Sequence, residues 1–174
     1  MKDNHLSDLP PWDDDDFKDE EEEGEEWKPN PTRDACKNLY QQWQQVMIVL
    51  NGAMDSMDVE QKEEATQPDR QQGFPADYWD DHKGMILGDA YQVAVKIKSS
   101  EVGLYTIRME NASIIRKNAQ FVKSSMLTLM SEKVIEEEYG RIIRSEIDKF
   151  RELFKIWVST FQKDEFEDEW GLFI

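Results

Sequence analysis

The stretch Glu132–Phe161, EKVIEEEYGRIIRSEIDKFRELFKIWVSTF, decides the fold class of this chain. Its apolar residues Ile135, Tyr139, Ile142, Ile143, Ile147, Phe150, Leu153, Phe154, Trp157 and Phe161 recur at steps of three and four. That spacing lines one face of an amphipathic α-helix. Charged pairs such as Glu137 and Arg141, four apart in the favourable order, occupy the other face and support a helix on its solvent side.

The same period recurs upstream. Leu104, Ile107, Ile115, Val122, Met126 and Leu129 predict a helix from about Val102 to Met130. Met85, Ile86, Ala90, Val93, Ala94 and Ile97 predict another from Pro75 to about Lys98. Cys36, Leu39, Tyr40, Trp43, Val46, Met47, Leu50, Met54 and Met57 predict the first. It should start near Pro31-Thr32, with Thr32 as cap and Asp34 in the first turn, and end near Met57. The polar stretch Asp58–Gly73, with Pro68, reads as a loop.

One junction is ambiguous. At ~100° per residue the apolar stripes of the second and third helices keep one phase through Ser99–Gly103, which permits a single long helix. Such a helix, ~50 residues at ~1.5 Å each, would extend ~75 Å, beyond the cover its neighbours can give. Ser99-Ser100-Glu101 and Gly103 favour a turn or sharp kink instead. A break lets a monomer close on itself, whereas a continuous helix would leave apolar surface for a homodimer. No alternating strand pattern competes anywhere. The expectation is an all-α antiparallel helical bundle of four helices over 32–163, flanked by acidic N- and C-terminal extensions, 1–31 and 164–174.

Charge separates these parts. The chain of 174 residues carries a net −17, of which 1–31 holds −10 and 164–174 holds −5. The body is close to balanced, with 32–90 at −6 and 91–163 at +4. The extensions are not pure solvating runs. Trp12, Phe17 and Trp27 interrupt the first, and Phe166, Trp170, Leu172, Phe173 and Ile174 the second. Acid-rich segments bury too little apolar surface to order by themselves, but these aromatics suit docking on the body or on a partner.

Several function classes lack their signatures. The single cysteine, Cys36, excludes an internal disulfide and a cysteine-based zinc site, and its place on the first helix's stripe suits packing. No secretory signal opens the chain, and no run approaches the ~20 apolar residues of a membrane span. A cytoplasmic location without membrane contact is expected. Neither His5 nor His82 has a glutamate three residues before it, so a di-iron bundle is excluded. The Asp77, Asp80, Asp81 and His82 cluster reads as an acidic first turn answering the helix dipole. Glu132 and Glu136–Glu138 lack the Glu-Glu-x-x-Glu pattern that holds magnesium in helical pyrophosphohydrolases, and Glu146 precedes Asp148 at the wrong spacing. No phosphate loop or nucleophile–base pair is present, and no cofactor is implied.

Polar residues on the apolar stripes are the remaining candidates. Asn111 and Asn118 fall on the third helix's stripe, Glu146 on the last and His82 on the second. They either fix helix register through hydrogen bonds or line a small polar pocket with Arg108 at its edge as the partner of Glu146. Lys98, Arg116 and Lys123 share one outer face. Direct nucleic-acid binding there is not expected, since no aromatics are interleaved and the acidic arms would repel phosphate. An acidic arm folding over that face is an alternative to a solvated surface. The leading reading is a non-enzymatic interaction protein whose acidic arms engage a basic protein partner or the chain's own basic face, with Trp12, Phe17, Trp27, Trp170 and Phe173 as anchors. The other reading is an enzyme or small-ligand binder using the inward Asn111, Asn118, Glu146, Arg108 and His82.

Overall fold

A computed structural model describes residues 7–13, 30–64, 76–166 and 168–172, with the backbone alone for 58–64 and 76. Four helices follow in order: α1 Pro31–Glu64, α2 Ala76–Lys98, α3 Tyr105–Ser131 and α4 Glu137–Ser159. No strand occurs among the described residues. None of their helices is long and apolar enough to cross a membrane.

Local chemistry sets the ends of each helix. Asn30, not Thr32, caps α1: its Oδ1 accepts the backbone N–H of Arg33 at 3.0 Å, and Pro31 takes the first helical position, where no N–H is needed. The Thr32 hydroxyl instead donates to the Thr160 carbonyl at 3.2 Å, tying the start of α1 to the end of α4. α1 also outruns its expected end at Met57 by two turns, to Glu64. The residues there, VEQKEE, are mostly strong helix formers, and neither glycine nor proline intervenes before Pro68. The apolar stripe ends at Met57, but the helix does not need the stripe to continue.

The second and third helices are separate. At the end of α2 the Ser99 and Ser100 hydroxyls both return to the Lys96 carbonyl, at 3.2 and 2.6 Å. Arg108, one turn into α3, reaches back and donates to the Ser100 carbonyl at 3.1 Å and the Glu101 carbonyl at 2.8 Å. The buried Glu101 carboxylate meets Arg33 of α1 at 2.6 Å. The turn is therefore pinned on both sides.

The α3–α4 corner is a Schellman turn. The Lys133 N–H bonds the Met130 carbonyl at 3.1 Å and the Val134 N–H the Leu129 carbonyl at 2.8 Å. Lys133 takes the left-handed conformation, φ 57°, where glycine is the usual residue. This corner consumes the residues from Glu132 to Glu136, so α4 begins one turn and a half later than the apolar period suggests.

The helices pack as a ring, α1 on α2, α2 on α3, α3 on α4 and α4 on α1, without diagonal contacts among the described residues. Antiparallel neighbours follow from the short connections at 99–104 and 132–136. Trp43 of α1 occupies the centre: it is fully buried, its Nε1 donates to the Ala90 carbonyl of α2 at 2.8 Å, and its ring meets Phe150 of α4 at 4.7 Å. Leu39, Met47, Leu50, Met54, Ile86, Ile97, Ile115, Met126 and Trp157 complete a continuous core. Cys36 lies within it, its thiol donating to the Ile97 carbonyl at 3.4 Å. Burial, then the nearby Glu101 carboxylate, push its pKa up to about 12 against the opposing pull of Arg108, so the thiol stays protonated.

Candidate interaction site between α3 and α4

The polar residues on the apolar stripes do not converge. Asn118 and Asn111 face the α2–α3 seam, where Asn118 Nδ2 donates to Gln92 Oε1 at 2.5 Å and Asn111 Nδ2 to the Ser99 hydroxyl at 3.4 Å. Glu146 faces the α1–α4 seam, where its Oε2 accepts from Gln42 Nε2 at 2.7 Å and its Oε1 pairs with Lys149 at 2.6 Å. Burial works against ionising Glu146, but the hydrogen bonds from Lys149 and Gln42 outweigh it and hold the carboxyl below its ordinary range. Arg108 is engaged with carbonyls of the α2–α3 turn and is not the partner of Glu146. His82 stacks on Tyr78 at 5.9 Å and meets Phe121 edge-on at 6.2 Å. The alternative of one shared pocket is therefore not met among the described residues. The asparagines and Glu146 are instead paired within two separate helix seams, which registers the helices against one another, while the buried His82 Nε2 has no hydrogen-bond partner among the described residues. Nor is any group of three or more His, Cys, Asp or Glu residues there placed to hold a metal ion.

The described part of the N-terminal arm lies on the bundle. Residues 7–13 run along α1 and α2, with Ser7 and Leu9 buried and Trp12 half-buried against the core. Tyr40 donates to the Pro10 carbonyl at 2.7 Å, Gln44 to the same oxygen at 3.3 Å, and Lys98 to the Pro11 carbonyl at 3.2 Å. Trp12 packs on Tyr40 at 5.6 Å, and Lys98 sits over the same Tyr40 ring at 5.6 Å. The contact uses prolines, carbonyls and an aromatic ring, so two groups from the candidate partner surface, Trp12 and Lys98, meet here. Phe17, Trp27 and Phe173 lie outside the described residues.

Arg116 and Lys123, grouped with Lys98 from the sequence, belong to a different place. They line a groove of about 390 Å³ between α3 and α4, together with Arg151 and Lys155 of α4. Ala119, Ile147, Phe150 and Phe154 contribute its apolar surface. Carboxylates temper the charge. Lys123 pairs with Asp148, which also meets Arg151 at 3.1 Å, and Lys155 meets Glu152 at 2.9 Å. The hydrogen bond from Lys123 holds the Asp148 carboxyl below its ordinary range, so that pair remains ionic at neutral pH. Arg116 has no ionic partner among the described residues. The exposed Lys155–Glu152 pair contributes little and can be exchanged for an incoming acid at little loss. Arg151 and Lys155 were missed from sequence. Their i,i+4 spacing on either side of Phe154 was the available signal, but only packing brings them opposite Arg116 and Lys123.

Two carboxylates of the acidic C-terminal segment, Asp164 and Asp168, bond backbone N–H groups. Asp164 accepts the first backbone N–H of α3, Tyr105 N, at 2.7 Å, capping a helix whose preceding residue, Leu104, offers no side-chain cap. Asp168 accepts from the backbone N–H of Trp170 at 3.2 Å and of Leu172 at 2.5 Å, while its carbonyl takes the Gly171 N–H at 2.9 Å. Gly171 supplies the positive φ of 70° that closes this turn. The turn leaves Trp170 88% and Leu172 50% exposed, and Phe166 before it is 66% exposed.

Comparison with protein-family models, curated proteins and solved structures returns no match for this chain.

Proposed function

We propose that the protein is an interaction module that engages a basic protein partner through its acidic, aromatic-bearing C-terminal segment. The observation that carries this reading is the turn at Asp168, which presents Trp170 to solvent directly after Asp168 and Glu169 in a sequence that also carries Glu165. Large aromatics left exposed on a monomer form the apolar anchors of contacts, and the neighbouring acids steer a partner of opposite charge. Because the backbone of the turn is already hydrogen-bonded, binding loses less conformational freedom than it would from an unordered tail.

The test is titration of the isotopically labelled full chain with a lysine–leucine amphipathic helical peptide, following the Leu172 backbone amide resonance, which Trp170→Ala retains. Any polycation will associate weakly with a chain of charge −17, so the decisive comparison keeps charge constant. Trp170→Ala should weaken binding by at least about tenfold, as a central aromatic anchor does. Equal affinity of the wild type and Trp170→Ala would reduce the contact to non-specific charge and overturn the reading. A glutamate–leucine peptide should leave the resonance in place.

A further inference from the structure

The acidic segment and the α3–α4 groove are complementary in both charge and chemistry. The groove offers four cationic side chains, Arg116, Lys123, Arg151 and Lys155, with the Asp148 carboxylate between Lys123 and Arg151, around an apolar patch made of the half-buried Phe154 and the edges of the buried Ile147 and Phe150. The segment offers Glu165, Asp168 and Glu169 around Phe166, Trp170 and Leu172. The volume of about 390 Å³ lies in the range of sites that accept an organic group the size of an indole. The two do not meet within one chain, since Trp170 is 88% exposed. Asp164 anchors the segment to the first turn of α3, and the turn at Asp168 directs the side chains that follow into solvent.

We infer that the groove between α3 and α4 receives the C-terminal segment of a second copy of this chain, with Trp170 seated on the apolar patch. The acids of the incoming segment face Arg116, Lys123, Arg151 and Lys155, exchanging with the exposed Glu152 pairs. This inference rests on the reading of that segment as the binding element and specifies its occupant. The interface is small and charged, so association is concentration-dependent and weakens with salt. It is also heterologous, tail to groove, so two copies can exchange tails reciprocally or a longer array can grow.

The test uses the full chain in size-exclusion chromatography with light scattering across a range of concentrations, at low and high salt. The expected result at low salt is a mass that rises with concentration, and at high salt a monomer. Two variants disable opposite halves of the contact: Trp170→Ala removes the anchor, and Arg116→Glu with Lys155→Glu reverses the groove. Both sets of sites are on the surface, and circular dichroism checks that the helices persist. Each variant alone should weaken association by at least about tenfold. An equimolar mixture should associate again, because an intact tail and an intact groove are then present on different molecules.

A chain that is monomeric at all concentrations overturns the inference, as does a dimer indifferent to both variants. Failure of the mixture to associate shows that the tail and the groove are not each other's partners and overturns it equally. If self-association is absent while the lysine–leucine peptide still binds in a Trp170-dependent way, this inference alone falls. If neither occurs, the functional reading falls with it.

Discussion

The α3–α4 corner sets the separation of the two helices that form the groove, and one glycine controls how closely they meet. A Cβ built on Gly140 would lie 2.5 Å from both Cγ and Sδ of Met130. Ordinary carbon contacts lie near 3.5–4.0 Å, so Gly140→Ala forces a displacement of about 1–1.5 Å. These are mid-chain atoms of Met130, and moving them moves the whole side chain. Overpacking of this kind costs ~1–3 kcal/mol, against ~1 kcal/mol gained by replacing glycine with alanine inside a helix. Gly140→Ala should therefore lower stability by about 0–2 kcal/mol in the wild type. In a Met130→Ala background the obstruction is gone, and the same substitution should stabilise by up to ~1 kcal/mol. The coupling between the two sites is then about 1–3 kcal/mol. Urea denaturation of all four proteins of the cycle measures it, provided the m-value is constant. Equal effects of Gly140→Ala in the two backgrounds would refute the account of this corner.

Four further outcomes are expected. Lys133→Gly should stabilise the protein by ~1 kcal/mol, because Lys133 holds φ 57° in the Schellman turn; Lys133→Ala, which keeps a Cβ, should give no such gain. Asp164→Ala should destabilise by ~0.5–2 kcal/mol and speed amide exchange in the first turn of α3, since it removes the acceptor for Tyr105 N. Tyr40→Phe should cost ~0.5–1.5 kcal/mol and loosen the arm, seen as faster exchange around Leu9, because its hydroxyl donates to the Pro10 carbonyl. For Glu146 the sign follows from its lowered carboxyl pKa. Ionised Glu146 contributes stability above the ordinary value of 4.5, and that contribution disappears as pH falls through the folded-state value. The stability difference between wild type and Glu146→Gln should thus shrink on acidification below pH 4.5, and a difference that grew there would reverse the assignment.

Helix number and type were legible because the apolar period is a local property: steps of three and four place residues on one face whatever that face later meets. Amino-acid order likewise located the break near Ser99, where hydroxyls and Gly103 offer the backbone an alternative to helix. Other features depended on groups far apart in sequence. The end of α1 at Glu64 follows from intrinsic helix preference rather than from the stripe, so a reading based on burial stopped at Met57. Glu146 and Asn118 share an inward position on their own helices, yet they face opposite seams. Periodicity assigns a residue to a face but does not name the neighbour across it. The groove is the clearest such case. Arg116 and Lys123 already lay on one face of α3, but their association with Arg151 and Lys155 required α3 and α4 to turn back at Lys133 and close over Ile147 and Phe150. Sequence alone determined the helices and the charge of each segment, because both are carried by neighbouring residues. Only tertiary packing decided which charges stand opposite which, because electrostatic and apolar complementarity arises between surfaces that the chain brings together when it folds.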